Sequence, residues 1–254
     1  MNLFDLNGRV AVVTGGNGGI GLGTAKGMAS IGASIVVAGR NAEKAADAVA
    51  QLKDMGAEAT FIAVDVADDQ SCADLIAASA AHFGRRDILV NNAGMNNRKQ
   101  PEEYDMAEWR QVLDVNLNSA FACSQAAYPE MKRAGGGKII NIGSMYSIFG
   151  GAYTVPYAAS KGGIVQMTKG LAAAWAKDNI QINAVLPGWI DTDLTRNARR
   201  IVDDLHENVL RRTPAGRWGD IGDMAGIAAF LASPASDFVT GTAIPVDGGY
   251  AALG

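Results

Sequence analysis

The chain has 254 residues and a formal net charge of −4, so it is long enough for one large domain or two small ones. A weakly acidic chain gives no reason to expect nucleic acid or an anionic membrane as a partner. Because the N-terminus lacks a signal-peptide pattern and no apolar stretch reaches the ~18 residues of a membrane span, we expect a cytoplasmic protein without a membrane segment.

The two cysteines, Cys72 and Cys123, have neither the spacing of metal ligands nor that of a disulfide framework. We interpret them as small buried side chains in a reducing compartment. No metal site is predicted from the sequence.

Strands and helices alternate along the chain. Apolar runs predict strands at 9–14, 34–38, 60–64, 87–90, 137–142, 180–185 and 242–246. Helical patterns occupy 18–31, 41–55, 69–82, 105–132, 155–176, 193–211 and 221–232. Several strands are continuously apolar, as expected for a parallel sheet covered on both faces. The pattern predicts an α/β protein whose single domain covers 1–254: a Rossmann-type, doubly wound, seven-stranded parallel sheet flanked by helices.

A glycine-rich turn, Thr-Gly-Gly-Asn-Gly-Gly-Ile-Gly at 14–21, follows the first predicted strand and leads into a helix. In this context glycines let the backbone approach a pyrophosphate at the helix N-terminus. Ligands of such sheets bind outside the carboxyl ends of the strands. The segment 91–94, Ser144 and Pro187 also follow predicted strands, so these motifs are expected to meet at one edge of the sheet.

Asn116, Ser144, Tyr157 and Lys161 are the most informative residues of the chain. Tyr157 and Lys161 are four residues apart in a predicted helix and therefore share a face. A lysine ammonium beside a phenol favours the phenolate, which would lower the pKa of Tyr157 towards the range of a general acid or base. Such pairs are also common on helix surfaces, and the glycine turn is what favours the catalytic interpretation. The group predicts proton transfer to or from an alcohol.

The ordered motifs resemble the short-chain dehydrogenase/reductase family. They are Thr-Gly-xxx-Gly-x-Gly at 14–21, Asn-Asn-Ala-Gly at 91–94, Asn116, Ser144, Tyr157-xxx-Lys161 and Pro187-Gly188. Within the family, the runs 137–145, 176–183 and 213–219 are most similar to gluconate and 2-deoxygluconate dehydrogenases. Two residues depart from that pattern: Ala174 replaces a glutamate found in many members, and Gly143 replaces an alanine found in several.

The resemblance implies the roles of four catalytic residues. Tyr157 would exchange a proton with the substrate oxygen, and Ser144 would hold that oxygen and steady its charge. Lys161 would lower the pKa of Tyr157 and bind the nicotinamide ribose. Asn116 would hold a water that continues the proton path. The cofactor would carry the hydride.

The resemblance also implies a dinucleotide-binding set. Its members are Gly15, Asn17, Gly18, Gly19, Ile20, Gly21, Arg40, Asn41, Asp65, Val66, Asn92, Ala93, Gly94, Tyr157, Lys161, Pro187, Gly188, Ile190 and Thr192. Asp65 and Val66 would contact adenine, although Asp65 could equally cap a helix. Thr192 would bind the carboxamide.

The end of the second predicted strand favours NADP over NAD. An acid at this position bonds the ribose hydroxyls in NAD enzymes, whereas an arginine accommodates a 2′-phosphate. Here the sequence is Ala-Gly-Arg-Asn at 38–41, with Arg40 as the candidate phosphate reader. Two points leave NAD open: Arg40 could be a solvated loop cation, and Gly18 stands where many NADP-preferring relatives have a second basic residue.

The substrate pocket is expected among the loops 95–99 and 145–154 and a lid at about 189–215. Candidate substrate residues are Asn96, Arg98, Ser144, Met145, Tyr153 and Tyr157. The polar and basic loop at 96–99 suits a polyhydroxylated or acidic substrate, with Arg98 facing an anionic group; the alternative is a solvated loop. The mixed charge of the helix at 193–211 is interpreted as an exposed face.

These features predict an NAD(P)-dependent oxidoreductase that interconverts a secondary alcohol and a ketone on a sugar acid, sugar or polyol. A 3-oxoacyl thioester reductase and a general secondary-alcohol dehydrogenase share the core motifs and remain alternatives. The intact catalytic set argues against a dinucleotide-binding regulator without turnover. By family resemblance we expect a homotetramer paired through the helices 105–132 and 155–176. The run 246–250 is expected to turn back across the site or an interface, and His82 and His206 to be structural or exposed.

Overall fold

The structure, a computed structural model, describes residues 2–253 and contains a seven-stranded parallel sheet in the order β3-β2-β1-β4-β5-β6-β7. The strands are β1 (Val10–Thr14), β2 (Ser34–Gly39), β3 (Ala59–Ala63), β4 (Ile88–Asn91), β5 (Gly137–Ile142), β6 (Ile180–Pro187) and β7 (Ala243–Val246). The order reverses between β1 and β4, where ligand sites form in doubly wound sheets. The predicted fold and all seven predicted strands are confirmed.

Helices cover both faces of this sheet. They are α1 (Gly19–Ala29), α2 (Ala42–Asp54), α3 (Asp69–Phe83), α4 (Met106–Leu113), α5 (Ser119–Arg133), α6 (Val155–Trp175), α7 (Asp193–Ile201), α8 (Leu205–Arg212) and α9 (Ala225–Ala232). Alternate residues of β1 belong to opposite cores: Val13 packs with Met28 of α1, and Val12 packs with Leu75 of α3. The continuous apolar strands follow from this burial on both faces.

Two predicted helices differ from the prediction. The helix predicted at 105–132 contains a π-helical segment, Asp114–Asn118, between α4 and α5. The helix predicted at 193–211 is divided into α7 and α8 because Asp204 adopts a left-handed conformation with φ of 54°. Aspartate tolerates this conformation better than most residues.

Close packing fixes α1, the helix that follows the glycine turn. A Cβ built on Gly23 would lie 2.0 Å from the carbonyl oxygen of Ile221, and one on Gly27 would lie 2.3 Å from that of Ala225. Glycine is therefore required at both positions for α1 to approach the backbone at 221–225. This contact positions the N-terminus of α1 at the carboxyl edge of the sheet.

Cys72 of α3 and Cys123 of α5 are buried free thiols that belong to one apolar core, as expected. Within residues 2–253, no helix combines the length and apolar character needed to cross a membrane.

Candidate active site

A cavity of about 940 Å³ lies at the carboxyl edge of the sheet and brings together most of the predicted site residues. Those that line it are Gly15, Asn17, Gly18, Gly19, Ile20, Asn92, Ala93, Gly94, Asn96, Arg98, Ser144, Met145, Tyr157, Lys161, Pro187, Gly188, Ile190 and Thr192. Residues from β1, β4, β5 and β6 and the segments after them thus meet in one place. Convergence of this kind is what a doubly wound sheet predicts for its ligand site.

The remaining predicted site residues lie outside the cavity walls: Gly21, Arg40, Asn41, Asp65, Val66, Asn116 and Tyr153. Gly21 lies directly behind the glycine turn, where a Cβ would lie 2.3 Å from the Gly15 oxygen. Arg40 is exposed and has no hydrogen bond or ion pair within the described residues. Asn41 caps α2 by accepting a hydrogen bond from the Lys44 N–H at 2.9 Å.

Two of these residues require a correction. Tyr153, expected in the pocket wall, is 53% exposed, and its carbonyl accepts hydrogen bonds from the Tyr104 hydroxyl and the Lys99 N–H instead. Asp65 does not cap a helix, since Asp68 is the N-cap of α3. The Asp65 carboxylate instead accepts a hydrogen bond from the Ala67 N–H, within the turn after β3.

The glycine turn is fastened to the segment after β4. The Thr14 hydroxyl accepts hydrogen bonds from the N–H groups of Asn92 and Ala93 at 3.0 and 3.1 Å. The Asn92 amide donates to the carbonyls of Thr14 and Gly15 at 2.9 and 3.2 Å. Gly15 itself has φ of +64°, a conformation that favours glycine. These hydrogen bonds fix the position of the glycine turn relative to the segment after β4, and both segments line the cavity.

The start of α1 fits the phosphates of a dinucleotide. The helix has no side-chain N-cap and no acidic residue in its first turn. Its first N–H groups therefore remain available at the positive end of the helix dipole, next to a cavity wall built from glycines.

The Tyr157 phenol and the Ser144 hydroxyl face each other in the cavity wall. Burial raises the pKa of Tyr157 above its usual range, and the hydrogen bond with Ser144 acts in the opposite direction. The ammonium of Lys161 lies 5.7 Å from the centroid of the Tyr157 ring, and burial is the largest influence on the pKa of Tyr157 in this structure. That Lys161 lowers this pKa stays a prediction.

Lys161 is the most deeply buried cation of the site. Only 3% of the residue is exposed, and its Nζ donates a hydrogen bond of 2.7 Å to the carbonyl of Ile142. Burial lowers the pKa of Lys161 to about 8. The side chain can therefore exchange a proton near neutral pH.

Asn116 positions the substrate loop rather than lining the cavity. Its Oδ1 accepts a hydrogen bond from the Met95 N–H at 2.8 Å, and its Nδ2 donates to the Met95 carbonyl and the Ser160 hydroxyl at 2.9 and 3.0 Å. Both side-chain N–H groups are thus occupied. The side chain of Asn116 therefore fixes the start of the loop at 95–99. That Asn116 holds a water, through a carbonyl oxygen that accepts from it, stays a prediction.

The substrate loop presents one unpaired cation to the cavity. Lys99 forms an ion pair with Glu108, whereas Arg98 has no ion-pair partner within the described residues. Arg98 and Tyr157 line the same cavity, and the positive charge of Arg98 acts to lower the pKa of the phenol. In the same wall, Oδ1 of Asn96 is buried without a hydrogen-bond partner. An anionic, hydroxylated ligand would satisfy both groups.

Lys44 and Arg212 also line the cavity and were not among the predicted site residues; so does Tyr250, which belongs to the run 246–250 that was predicted to turn back across the site or an interface. The Arg212 guanidinium lies 4.4 Å from the centroid of the Tyr250 ring. Gly248 and Gly249 both have positive φ, and the turn that they form brings Tyr250 back across the site. The sequence signal for Lys44 is its position four residues after Arg40. Arg212 could not be recognised as a site residue because acidic and basic residues are mixed in the lid.

The predicted lid lies directly on the glycine turn. A Cβ built on Gly19 would lie 3.3 Å from Cγ2 of Thr192. His206 has a partner that the sequence did not indicate, because the indole of Trp218 donates a hydrogen bond of 3.1 Å to its Nδ1. The Arg199 guanidinium lies on the same indole, 4.4 Å from the ring centroid. Arg199, His206 and Trp218 are not cavity-lining residues, so these contacts join parts of the lid region outside the cavity.

Within residues 2–253, no group of three or more His, Cys, Asp or Glu side chains is arranged to hold a metal ion. The chemistry that the cavity offers rests on the phenol, the hydroxyl, the ammonium and the backbone cradle. It is suited to proton transfer beside a bound dinucleotide.

Comparison with known proteins agrees with this arrangement. The model of a family described as enoyl-(acyl carrier protein) reductase matches residues 15–251. Gluconate 5-dehydrogenase from Gluconobacter oxydans (strain 621H) is 41% identical over 249 residues, which cover 98% of this chain and 96% of that protein. A 2-dehydro-3-deoxy-D-gluconate 5-dehydrogenase from Dickeya dadantii (strain 3937) is 41% identical and covers 99% of both chains.

Among solved structures, a gluconate 5-dehydrogenase from Burkholderia cenocepacia J2315, in complex with NADP and tartrate, superposes with a TM-score of 0.94. The two chains are 41% identical, and the match covers 100% of this chain and 99% of the other. The similarity therefore extends over the sheet, the cavity and the lid together.

Proposed function

Because this chain belongs to the short-chain dehydrogenase/reductase family, we propose that it interconverts a secondary alcohol and a ketone on a sugar acid, with NADP as its cofactor. The family membership predicted from the motifs, and the resemblance to gluconate dehydrogenases, are confirmed, and the chain is an oxidoreductase. The observation that carries the proposal is a single cavity lined by the Tyr157 phenol, the Ser144 hydroxyl and the unpaired Arg98 guanidinium.

The residues at the cavity fit a dinucleotide. When bound, NADP would supply the hydride acceptor or donor. The glycine turn and the free N–H groups of α1 would hold its pyrophosphate, and Lys161 would bind the nicotinamide ribose. Thr192, at the start of α7, lies where the lid meets the glycine turn and would bind the carboxamide.

Proton transfer belongs to Tyr157 in this proposal. Its raised pKa keeps the phenol protonated at neutral pH, as an acid that gives its proton to a ketone oxygen requires. In the opposite direction the phenolate would accept the proton of the alcohol. Ser144 would bind the same substrate oxygen, and Lys161, with a pKa of about 8, would restore the proton.

Arg98, Asn96 and Arg212 support a sugar acid as the substrate. Arg98 and Arg212 are cavity cations without ion-pair partners in the described part of the chain, and Oδ1 of Asn96 needs a donor. A carboxylate with several hydroxyl groups satisfies all three. The relatives named above as gluconate and deoxygluconate dehydrogenases agree with this choice.

Two other substrates remain candidates, each with an observation in its favour. The matching family is described as enoyl-(acyl carrier protein) reductase; that reaction reduces a carbon–carbon double bond, so only the carrier-bound acyl group, not the chemistry, links it to a 3-oxoacyl thioester. Apolar side chains such as Phe149 and Ile201 also line the cavity and would accept a simple secondary alcohol. Neither alternative uses the cations of the substrate loop.

NADP is preferred over NAD because no carboxylate ends β2 and Arg40 follows it. An exposed arginine without a partner is free to bind a 2′-phosphate in a bidentate manner. The replacement of Arg40 by Ala should weaken binding of NADPH far more than binding of NADH. Equal losses for both nucleotides would show that Arg40 does not read the phosphate.

We also propose that the protein forms a homotetramer through α4, α5 and α6. Met106, Phe121 and Val155 are large apolar residues of these helices that are 58%, 45% and 37% exposed. A Cβ built on Gly162 of α6 would meet no atom within 4 Å, so another helix could approach closely. Light scattering of the purified protein tests this: a monomer in solution would contradict it.

A cytoplasmic location is part of the same proposal. Two buried thiols without a disulfide fit a reducing compartment. Fractionation of cells that produce the protein, with detection of the full chain, tests the location.

The experiment that tests the function follows the absorbance of reduced nicotinamide with gluconates, aldoses, polyols, simple secondary alcohols and 3-oxoacyl esters. Each substrate is measured with NAD(H) and with NADP(H). We expect turnover of sugar acids, preferably with NADP(H). Turnover of simple alcohols or oxoacyl esters alone would contradict the proposed substrate.

A further inference from the structure

Lys44 lies in the first turn of α2 and lines the cavity beside the glycine turn. Its Nζ lies 3.9 Å from the position that a Cβ on Gly18 would take. Gly18 precedes the first residue of α1, so the ammonium occupies the space beside the N-terminus of that helix. Arg40, the cation that precedes α2, is exposed and does not line the cavity.

An ion pair joins Lys44 to Asp193, the first residue of α7 in the predicted lid. The pair spans the cavity from α2 to α7. It is largely solvated, since 53% of the Lys44 side chain and 64% of the Asp193 side chain are exposed. Exposed ion pairs contribute little to stability, so Lys44 can change its partner at low cost.

The Asp193 carboxylate has a second cationic partner besides Lys44. Arg196 donates a hydrogen bond of 2.8 Å to the same carboxylate. Lys44 and Arg196 together hold the pKa of Asp193 at about 2, so it remains an anion at neutral pH. If Lys44 moved to another anion, Asp193 would keep Arg196 as its partner.

We propose that Lys44 is a specificity-determining residue for NADP: its ammonium exchanges Asp193 for the phosphate on the adenosine ribose. This inference rests on the proposed function, because it requires a dinucleotide in the cavity. The ribose substituent is read just after β2 in this fold, and of the two cations that follow β2, Arg40 and Lys44, only Lys44 lines the cavity. A phosphate carries more charge than a carboxylate and makes stronger charge-assisted hydrogen bonds with an ammonium.

The exchange makes opposite predictions for the two members of one ion pair. Lys44→Ala should raise the Kd of NADPH about tenfold and leave that of NADH within about twofold. Asp193→Asn removes the competitor of the phosphate, so it should lower the Kd of NADPH by about threefold, again without effect on NADH. If the pair only held the lid closed, both variants would change binding in the same direction.

Binding is measured without turnover, by fluorescence titration with NADPH and NADH and by competition with 2′,5′-ADP and 5′-AMP. Lys44→Arg should retain most of the preference for NADPH. Lys26→Ala is a matched control, because it removes the same charge from α1, where Lys26 bonds Gln51 at 2.7 Å outside the cavity. Thermal unfolding of each variant verifies that the fold is intact.

Equal losses of NADPH and NADH in Lys44→Ala would overturn the inference, as would weaker NADPH binding in Asp193→Asn. A wild-type protein that binds neither nucleotide would instead contradict the proposed function. The two failures are therefore distinguishable.

Discussion

The ammonium of Lys161 donates a hydrogen bond of 2.7 Å to the carbonyl of Ile142, which ties α6 to the end of β5. Ile142 lies two residues before Ser144, so this bond sets the distance between the helix that carries Tyr157 and the strand that leads to Ser144. Burial of the ammonium lowers the pKa of Lys161 to about 8 from an ordinary value of 10.5. The charged form of the buried Lys161 side chain therefore lowers the free energy of unfolding.

Lys161→Met should stabilise the protein at pH 7 by about 2 kcal/mol, after allowance for the carbonyl of Ile142 that loses its donor. Because the folded-state pKa lies below the unfolded-state pKa, the unfolded chain binds more protons between pH 8 and 10.5. The buried charge therefore lowers the free energy of unfolding by its full amount below pH 8, and this destabilisation disappears as the pH rises to 10.5. Urea unfolding at matched protein concentration, at pH 7 and pH 10, measures the difference.

The exposed Lys169 of the same helix provides the control, since Lys169→Met should change stability little at either pH. A gain for Lys161→Met that is the same at both pH values would contradict the assignment of the cost to a buried charge.

The pH profile should differ between the two directions of the reaction. Burial raises the pKa of Tyr157, so the phenol stays protonated at neutral pH and little phenolate is present. Alcohol oxidation needs the phenolate, and its kcat/KM should rise with pH from 8 to 10; ketone reduction should stay nearly constant below pH 8. Steady-state rates across this range test both.

Ser144→Ala removes the hydroxyl that lowers the pKa of Tyr157. The oxidation profile should therefore move to higher pH, and the rate should fall by about 100-fold because the substrate oxygen loses a hydrogen-bond partner. An unchanged profile would show that the two side chains are not coupled.

Asn116 should matter for both folding and substrate binding. Asn116→Ala leaves the N–H and carbonyl of the half-buried Met95 without these partners, which should cost about 1–2 kcal/mol of stability. It should also raise KM, because the loop at 95–99 loses its anchor. Asn118→Ala, an exposed residue in the same π-helical segment, should cost less than about 0.5 kcal/mol.

Denaturation and kinetics of these two variants separate the roles. If Asn116→Ala lowered kcat with unchanged KM and stability, the residue would act on proton transfer rather than on the loop.

Sequence periodicity was sufficient for the sheet and insufficient for the segments that depend on distant contacts. Continuous apolar strands and the glycine turn specify their own structure, so the strands and the cavity edge were predictable. The π-helical segment at Asn116 depends on a contact with Met95, 21 residues away. Lys44 belongs to a helix whose pattern resembles a solvated surface, and only the fold brings its ammonium next to Gly18.

Arg98 and Lys99 are adjacent cations with different expected roles. Arg98→Ala should raise the KM for gluconate-type substrates by about tenfold or more and leave the KM of a neutral polyol nearly unchanged. Lys99 forms an ion pair with Glu108, so Lys99→Ala should change the KM of a sugar acid and the KM of a polyol by the same factor. Kinetics with a sugar acid and its neutral counterpart tests this, and equal effects of Arg98→Ala on both would exclude a carboxylate at Arg98.

Tyr157→Phe tests the central claim most directly, since it removes one oxygen atom and keeps the ring packed beside Tyr146. The measurement is single-turnover absorbance of reduced nicotinamide, together with fluorescence titration of the cofactor. Hydride transfer should fall by about 100-fold or more while the Kd of NADPH changes little. Hydride transfer at the wild-type rate would contradict the assignment of the proton to Tyr157.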